Sequence, residues 1–225
     1  MYIFVKIIYF LDLHTHKASQ TKGVTSIQSL SLTSDIFLAM PKTKPISIGL
    51  HPWYATLEKL EIQMKYLSVL ARQKNVKLIG ECGLDKLKGE TLADQIIILE
   101  SQIALADALN KPLILHCVKA FSELIEIKNR LNVKIPMIIH GFNKKAEVGK
   151  QLISKGFLLS FGSAILQKNS GVQKLIQETD NFFLETDDAE TPIEVIYEAV
   201  ANLKKCSVDE LKARIFVDWK KLNLF

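Results

Sequence analysis

The stretch VKLIGECGLDKLKGETLADQIIILESQIALADALNKPLILH, residues 76–116, decides the fold. It opens on a short apolar run, Val76–Ile79, and closes on another, Pro112–Leu115. Between them, Leu92–Leu109 repeats apolar residues at helical spacing, and Thr91 with Asp94 forms a helix-start signal. A short apolar run, an amphipathic helix and a second short apolar run read as two buried parallel strands joined by a crossover helix.

The same alternation continues outward in both directions. Further buried strands are read at Ile7–Leu13, Val24–Leu32, Pro45–Leu50, Pro136–Ile139, Phe157–Phe161 and Phe182–Leu184, eight in all. Helical patterns lie at Leu57–Lys74, Phe121–Leu131, Glu147–Lys155, Val172–Glu178 and Ile193–Leu203. Thr191–Pro192 places a proline at a first helical position, and Ser207 with Glu210 forms a capping box for a last helix over Val208–Leu222. Eight strands alternating with helices predict a TIM-type (β/α)8 barrel spanning residues 1–225 as a single domain. Lys17–Gly23 is too short for a helix and its turns, and Ser34–Lys44 is short and irregular. The expected barrel therefore lacks its first helix and has a reduced second one. A doubly wound open sheet is the alternative, but it would carry a Gly-rich phosphate turn after its first strand, and none is present.

Composition narrows the function classes. The 225 residues are 48% hydrophobic and 24% charged, a globular profile with ample core. No apolar run reaches the ~20 residues of a membrane span, so no membrane partner is expected, and Met1–Leu11 reads as a first buried strand. The three cysteines, Cys82, Cys117 and Cys206, form no CxxC and fit a reducing cytoplasm. Net charge is +5, with 29 Lys and Arg, of which only Arg72, Arg130 and Arg214 are arginine. Dispersed lysines favour contact with a polyanion backbone over base reading. No obligate protein partner is evident.

All five histidines, His14, His16, His51, His116 and His140, fall at the carboxyl ends of predicted strands, where a parallel barrel builds its active site. In Asp12-Leu13-His14-Thr15-His16, strand alternation puts Asp12, His14 and His16 on one side, so two imidazoles can chelate one ion. Glu81 follows an apolar run between two glycines, a costly place for a carboxylate unless it meets a cation. Glu185 and Asp187 share a side at the end of the eighth strand. Structural alternatives stand beside these readings: a buried ion pair of Glu81 with Lys77 or Lys86, and Asp187 as a helix N-cap. Imidazole and carboxylate together suit Zn²⁺, Mn²⁺, Fe²⁺ or Ni²⁺, and a carboxylate-rich site suits Mg²⁺. No G-x-S-x-G elbow for a serine nucleophile appears.

Six motifs in order carry a resemblance: Asp12-x-His14-x-His16, Gly49-Leu50-His51-Pro52, Gly80-Glu81-Cys82-Gly83-Leu84-Asp85, the strand ending in His116, His140-Gly141-Phe142, and Glu185-Thr186-Asp187. From about Leu11 onward the chain resembles the TatD-type metal-dependent DNases, which are amidohydrolase-like barrels. The resemblance implies one or two divalent metal ions (Mg, Mn, Zn or similar) and hydrolysis of phosphodiester bonds in DNA by a metal-activated water. Carried over by position, His14, His16 and Asp187 would hold one metal, His116 and His140 the other, and Glu81 would bridge them. Glu81 and Asp187 are the expected catalytic residues. Asp12, His51 and Asp85 are expected behind the ligands or against the substrate, with Asp12 orienting a ligand imidazole.

The chain departs from the family pattern at the rim. Val118 and Lys119 stand where an Arg is frequent, Asp188-Ala189-Glu190 where a small residue and Pro are usual, and Lys86-Leu87-Lys88 where aromatics are common. The added acid leaves open a small ester, amide or phosphoester substrate, including acyl groups on nucleic acid. A non-catalytic scaffold is the third reading.

Overall fold

The computed structural model describes residues 9–18, 21–32 and 40–225. Eight strands follow one another around one sheet in chain order, with every neighbouring pair parallel. They are β1 (Phe10–Thr15), β2 (Val24–Ser31), β3 (Ile46–Gly49), β4 (Val76–Asp85), β5 (Leu113–Val118), β6 (Met137–Ile139), β7 (Leu158–Phe161) and β8 (Phe183–Leu184). The chain just past β8 returns beside β1: the Asp187 amide donates to the His14 carbonyl at 2.9 Å, and the His16 amide to the Asp187 carbonyl at 3.4 Å. The sheet thus comes nearly to closure as the expected barrel, with a single bridge between Thr15 and Asp187 joining its two ends.

Helices alternate with the strands from β3 onward: α1 (Leu57–Leu70), α2 (Leu92–Leu109), α3 (Phe121–Arg130), α4 (Ala146–Ser154), α5 (Gly171–Glu178), α6 (Ile193–Lys204) and α7 (Val208–Lys221). Thr91 caps α2, and Ser207 with Glu210 closes the capping box of α7. Pro192 stands at the N-cap of α6, one residue earlier than expected. Lys17–Gly23 holds no helix among its described residues, and a turn at Lys22–Gly23 leads straight into β2. The reduced second helix expected over Ser34–Lys44 falls largely outside the described residues, as does the start of the first predicted strand at Ile7. Among the described residues no helix is long and apolar enough to cross a membrane.

Strand β4 runs six residues past its predicted end at Ile79. Two glycines in this extension permit close approach to the neighbouring strand. Gly80 and Gly83 have φ of 129° and 144°, and a Cβ on Gly83 would lie 2.0 Å from the His116 carbonyl oxygen. Without side chains at these two places, β4 lies tight against β5 and carries Glu81 and Asp85 to the barrel mouth.

Two buried glutamines of α2 fix the loops that follow β3 and β4. Gln102 accepts from the Leu50 amide at 2.7 Å and donates to the Leu50 carbonyl at 3.1 Å. Gln95 accepts from the Asp85 amide and donates to the carbonyls of Asp85, Lys88 and Glu90. Each amide satisfies backbone groups that the barrel would otherwise bury unpaired. They thereby set the positions of His51 and Asp85.

Candidate metal centre

Every strand-end histidine arrives at one carboxylate. Glu81, carried up by β4, is buried. Its Oε2 lies 3.4 Å from His14 Nε2 and 3.5 Å from His16 Nε2, both delivered by β1. Asp187 Oδ1 is 3.5 Å from each of the same two nitrogens. The other oxygen, Oε1, lies 2.8 Å from His140 Nε2, 3.0 Å from His51 Nε2 and 3.1 Å from His116 Nδ1. One carboxylate therefore faces two clusters of donors, one with each oxygen. The alternatives for Glu81 do not occur: Lys77 donates to the Phe225 carbonyl oxygen, and Lys86 pairs with Glu123. Asp187 does not cap α6, whose N-cap is Pro192.

The donors fit a cation. His14 is fully buried, and neither ring nitrogen makes a hydrogen bond of good geometry. Buried imidazole nitrogens aimed at two carboxylates and left without partners call for a positive charge between them. His116 makes the same point through its tautomer. Its Nε2–H donates to Asp85 Oδ2 at 3.0 Å, which leaves the Nδ1 lone pair facing Glu81 Oε1. Two acceptors 3.1 Å apart need a metal ion or a proton between them. The triads His14–Glu81–His140, His14–His16–Asp187, His51–Glu81–His116 and His140–Glu185–Asp187 each gather their donor atoms within 4.8 Å.

Charge within the site is held by mutual pairing. Burial and the charge of His140 act against protonated His14, but Asp187 and Glu81 outweigh them and raise its pKa to about 9. Burial likewise opposes His140, and Glu81 with Glu185 still lifts it well above 6.5. Burial would push Glu81 up, yet His140, His116 and His14 hold it well below the usual carboxylate range. Protons thus occupy the metal-free cluster, and a divalent ion must displace them. We expect metal affinity to rise with pH up to about 9, with protons released on binding, as read by calorimetry in buffers of different ionisation heat. Uptake with no proton release near neutral pH would contradict this. The linked stability has a definite sign. Raised His14 stabilises the metal-free fold below its ordinary value of 6.5, and that contribution is lost as pH rises through about 9.

Three residues expected behind the ligands divide into distinct roles. Asp85 accepts from His116 Nε2, from Trp53 Nε1 at 2.6 Å and from the Leu87 amide at 2.8 Å. It fixes the imidazole of His116 from behind. Replacing it (Asp85→Asn) should cost about 10- to 100-fold in metal affinity or rate, measured by metal titration beside an unchanged circular dichroism spectrum.

His51 is placed by its neighbour. The Trp53 amide donates to Nδ1 at 3.2 Å, so the neutral ring carries its proton on Nε2 and presents it to Glu81. It is a donor toward the site. Asp12 differs from expectation. Its carboxylate accepts from the Thr186 amide at 3.0 Å and the Thr186 hydroxyl at 2.7 Å, and it touches no imidazole through a hydrogen bond. The β1 pairing shifts register between Asp12 and Thr15, which breaks simple alternation. Asp12 instead ties the segment between Glu185 and Asp187 to β1, and burial raises its pKa to about 7 against the Thr186 bonds.

Two contributors escaped the sequence reading. Glu185 is fully buried, accepts from the Gly141 amide at 2.5 Å and lies 3.6 Å from His140 Nδ1, while its Oε2 has no partner. Its proximity to Asp187 was legible from alternation, but its reach to β6 was not. Trp53 links His51 to Asp85, a tertiary contact that no local pattern signals.

His16, His51, Glu81, His116, His140 and Asp187 line a cavity of about 380 Å³ that also includes Ser31, Trp53, Tyr54 and Asp188. The model of the TatD-related DNases matches residues 12–222. The chain belongs to the TatD-related DNase family. Among its relatives is the uncharacterized metal-dependent hydrolase YabD of Bacillus subtilis, 27% identical over 194 residues, covering 78% of this chain and 76% of YabD. Another is the 3'-5' ssDNA/RNA exonuclease TatD of Yersinia pseudotuberculosis, 29% identical over 149 residues, covering 60% of this chain and 57% of that one. Among solved structures, the TatD homologue YjjV of Escherichia coli K12 superposes with a TM-score of 0.80 at 20% identity, covering 96% of this chain and 98% of YjjV, and so shares the fold. With its TatD relatives, this chain is a metal-dependent hydrolase.

Proposed function

We propose that this TatD-family chain hydrolyses phosphodiester bonds in single-stranded nucleic acid, DNA first, using one or two divalent ions. The observation that carries the reading is Glu81, whose two oxygens face two separate donor clusters. In it, His14, His16 and Asp187 would hold one ion and His116 and His140 the other, with Glu81 placed to serve both. The nitrogen and oxygen donors suit Mn²⁺ or Zn²⁺, and Mg²⁺ on the carboxylate side. When bound, such ions supply a hydroxide-like water at neutral pH and neutralise charge on the phosphate.

The chain's own groups do the rest. Asp187 has a side chain 37% exposed at the mouth, so it can hold the attacking water and take its proton. The Nε2–H of His51 donates to Glu81 Oε1 at 3.0 Å and holds that carboxylate in orientation between the two donor sets. Buried Glu185 and Asp85 keep His140 and His116 from turning away. All three cysteines are free, which supports a reducing, cytoplasmic setting.

Asp188 lines the cavity and favours a smaller, less anionic substrate, although Glu190 beyond it is offset by Lys17 at 3.4 Å. Turnover of single-stranded oligonucleotide against small carboxylic esters, with one protein batch, tests the choice. A faster, metal-dependent rate on the oligonucleotide that falls with added salt is expected. Turnover of the esters alone would overturn the phosphodiester reading.

A further inference from the structure

The cavity mouth is asymmetric. On the β8 side stands Asp188, with no cation paired to it among the described residues. On the β3 and β4 side stand two exposed aromatics, Trp53 (36%) and Tyr54 (59%), and the exposed Lys88. Lys88 Nζ sits 3.6 Å over the Trp53 ring, a cation–π contact that holds an ammonium at the rim. Lys88 forms no ion pair among the described residues. Trp53 itself is locked by its bonds to Asp85 and His51. Tyr54 is not: its hydroxyl makes no hydrogen bond among the described residues, and its ring lies 6.2 Å from that of Trp53 and 5.5 Å from that of His51. Trp53 and Tyr54 together make a contiguous aromatic patch on the lining of the polar cavity, the kind of exposed surface that marks a binding site.

We infer that Tyr54 and Lys88 form a nucleotide subsite next to the metal centre, with one base stacked on the Tyr54 ring and the adjoining phosphate on Lys88. This rests on the nucleic-acid reading above and adds a direction. A polyanion leaving the metal centre is repelled by Asp188 and drawn over Lys88, so its path runs across the β3 and β4 loops. A base has a π-face whatever its identity, so the shelf binds without reading sequence. His51 stands between the Glu81 cluster and Tyr54, 3.0 Å from Glu81 Oε1 on one side and 5.5 Å from the Tyr54 ring on the other, which makes this the nucleotide beside the scissile bond.

The test is binding of a fluorescent single-stranded oligonucleotide to the full chain in chelator, where nothing is cut. A single abasic site is walked along the strand. Wild-type protein should show one position at which losing the base weakens binding about tenfold. Tyr54→Ala should bind the intact strand about tenfold more weakly and no longer respond to the abasic site at that position. Tyr54→Phe, which keeps the ring, should restore the response. Equal sensitivity of wild type and Tyr54→Ala to the abasic site, or no sensitive position in the wild type, would overturn the subsite. Adding metal afterwards separates the two readings: a strand bound through Tyr54 but never cut sinks the nuclease proposal alone, and a strand cut without Tyr54 dependence sinks the subsite alone.

Discussion

Glu81→Gln should leave the barrel folded and nearly abolish hydrolysis. The substitution preserves shape and removes the one charge that both donor clusters share. His14, His16, His51, His116 and His140 all lie within 3.5 Å of the two Glu81 oxygens. A neutral amide cannot bridge two cations, and its NH₂ presents hydrogens where lone pairs are needed. Bound ions contribute several kcal/mol of charge stabilisation to the reaction, and each 1.36 kcal/mol is a decade in rate, so a loss of about a thousandfold is expected. Elemental analysis should show the metal content of the purified variant reduced in parallel. Circular dichroism reports whether the fold survives. Wild-type rates with Glu81→Gln would remove Glu81 from the centre of the site.

Gly83→Ala should be the most damaging small substitution in the barrel. Its Cβ would sit 2.0 Å from the His116 carbonyl oxygen and 2.9 Å from the His116 backbone nitrogen. Backbone cannot turn aside as a side chain can, so β4 and β5 must separate. The residue also holds φ at 144°, which an L side chain rarely adopts. Overpacking costs about 1–3 kcal/mol and the backbone strain about 1–3 kcal/mol more. Together they take a large share of a domain's stability of about 5–15 kcal/mol. Denaturant titration should show the midpoint fall by that measure, and metal affinity should drop with it, because His116 rides on β5 and Glu81 on β4. A midpoint within error of wild type would show that the two strands can part at little cost.

Much of the barrel was legible because buried parallel strands and amphipathic helices leave different spacings in the chain. Val76–Ile79, Leu92–Leu109 and Pro112–Leu115 announced β4, α2 and β5 in turn. The length of β4 past Ile79 was harder to read because the apolar run stops there, while Gly80 and Gly83 are there for contact with Ile114 and His116, more than 30 positions away. The histidines were legible as a group because all five fall at strand ends, and the barrel gathers them onto Glu81. The partners behind them were harder. Asp85 was anticipated, but Trp53, Glu185 and the two α2 glutamines act across elements, through hydrogen bonds with no fixed spacing. Asp12 shows the limit of alternation: a single shift in β1 pairing sends its carboxylate to Thr186 instead of an imidazole.

The central claim is that the donor sets around Glu81 bind divalent ions that drive hydrolysis of single-stranded nucleic acid. Its most direct test is a metal-rescue assay: the purified protein is stripped with chelator, and cleavage of a single-stranded oligonucleotide is followed as Mn²⁺, Zn²⁺ or Mg²⁺ is returned. The account predicts no cleavage after stripping and recovery that saturates with one or two ions bound per chain. Cleavage that persists unchanged in the stripped protein, or a protein that binds its ions and never cuts the strand, would contradict it.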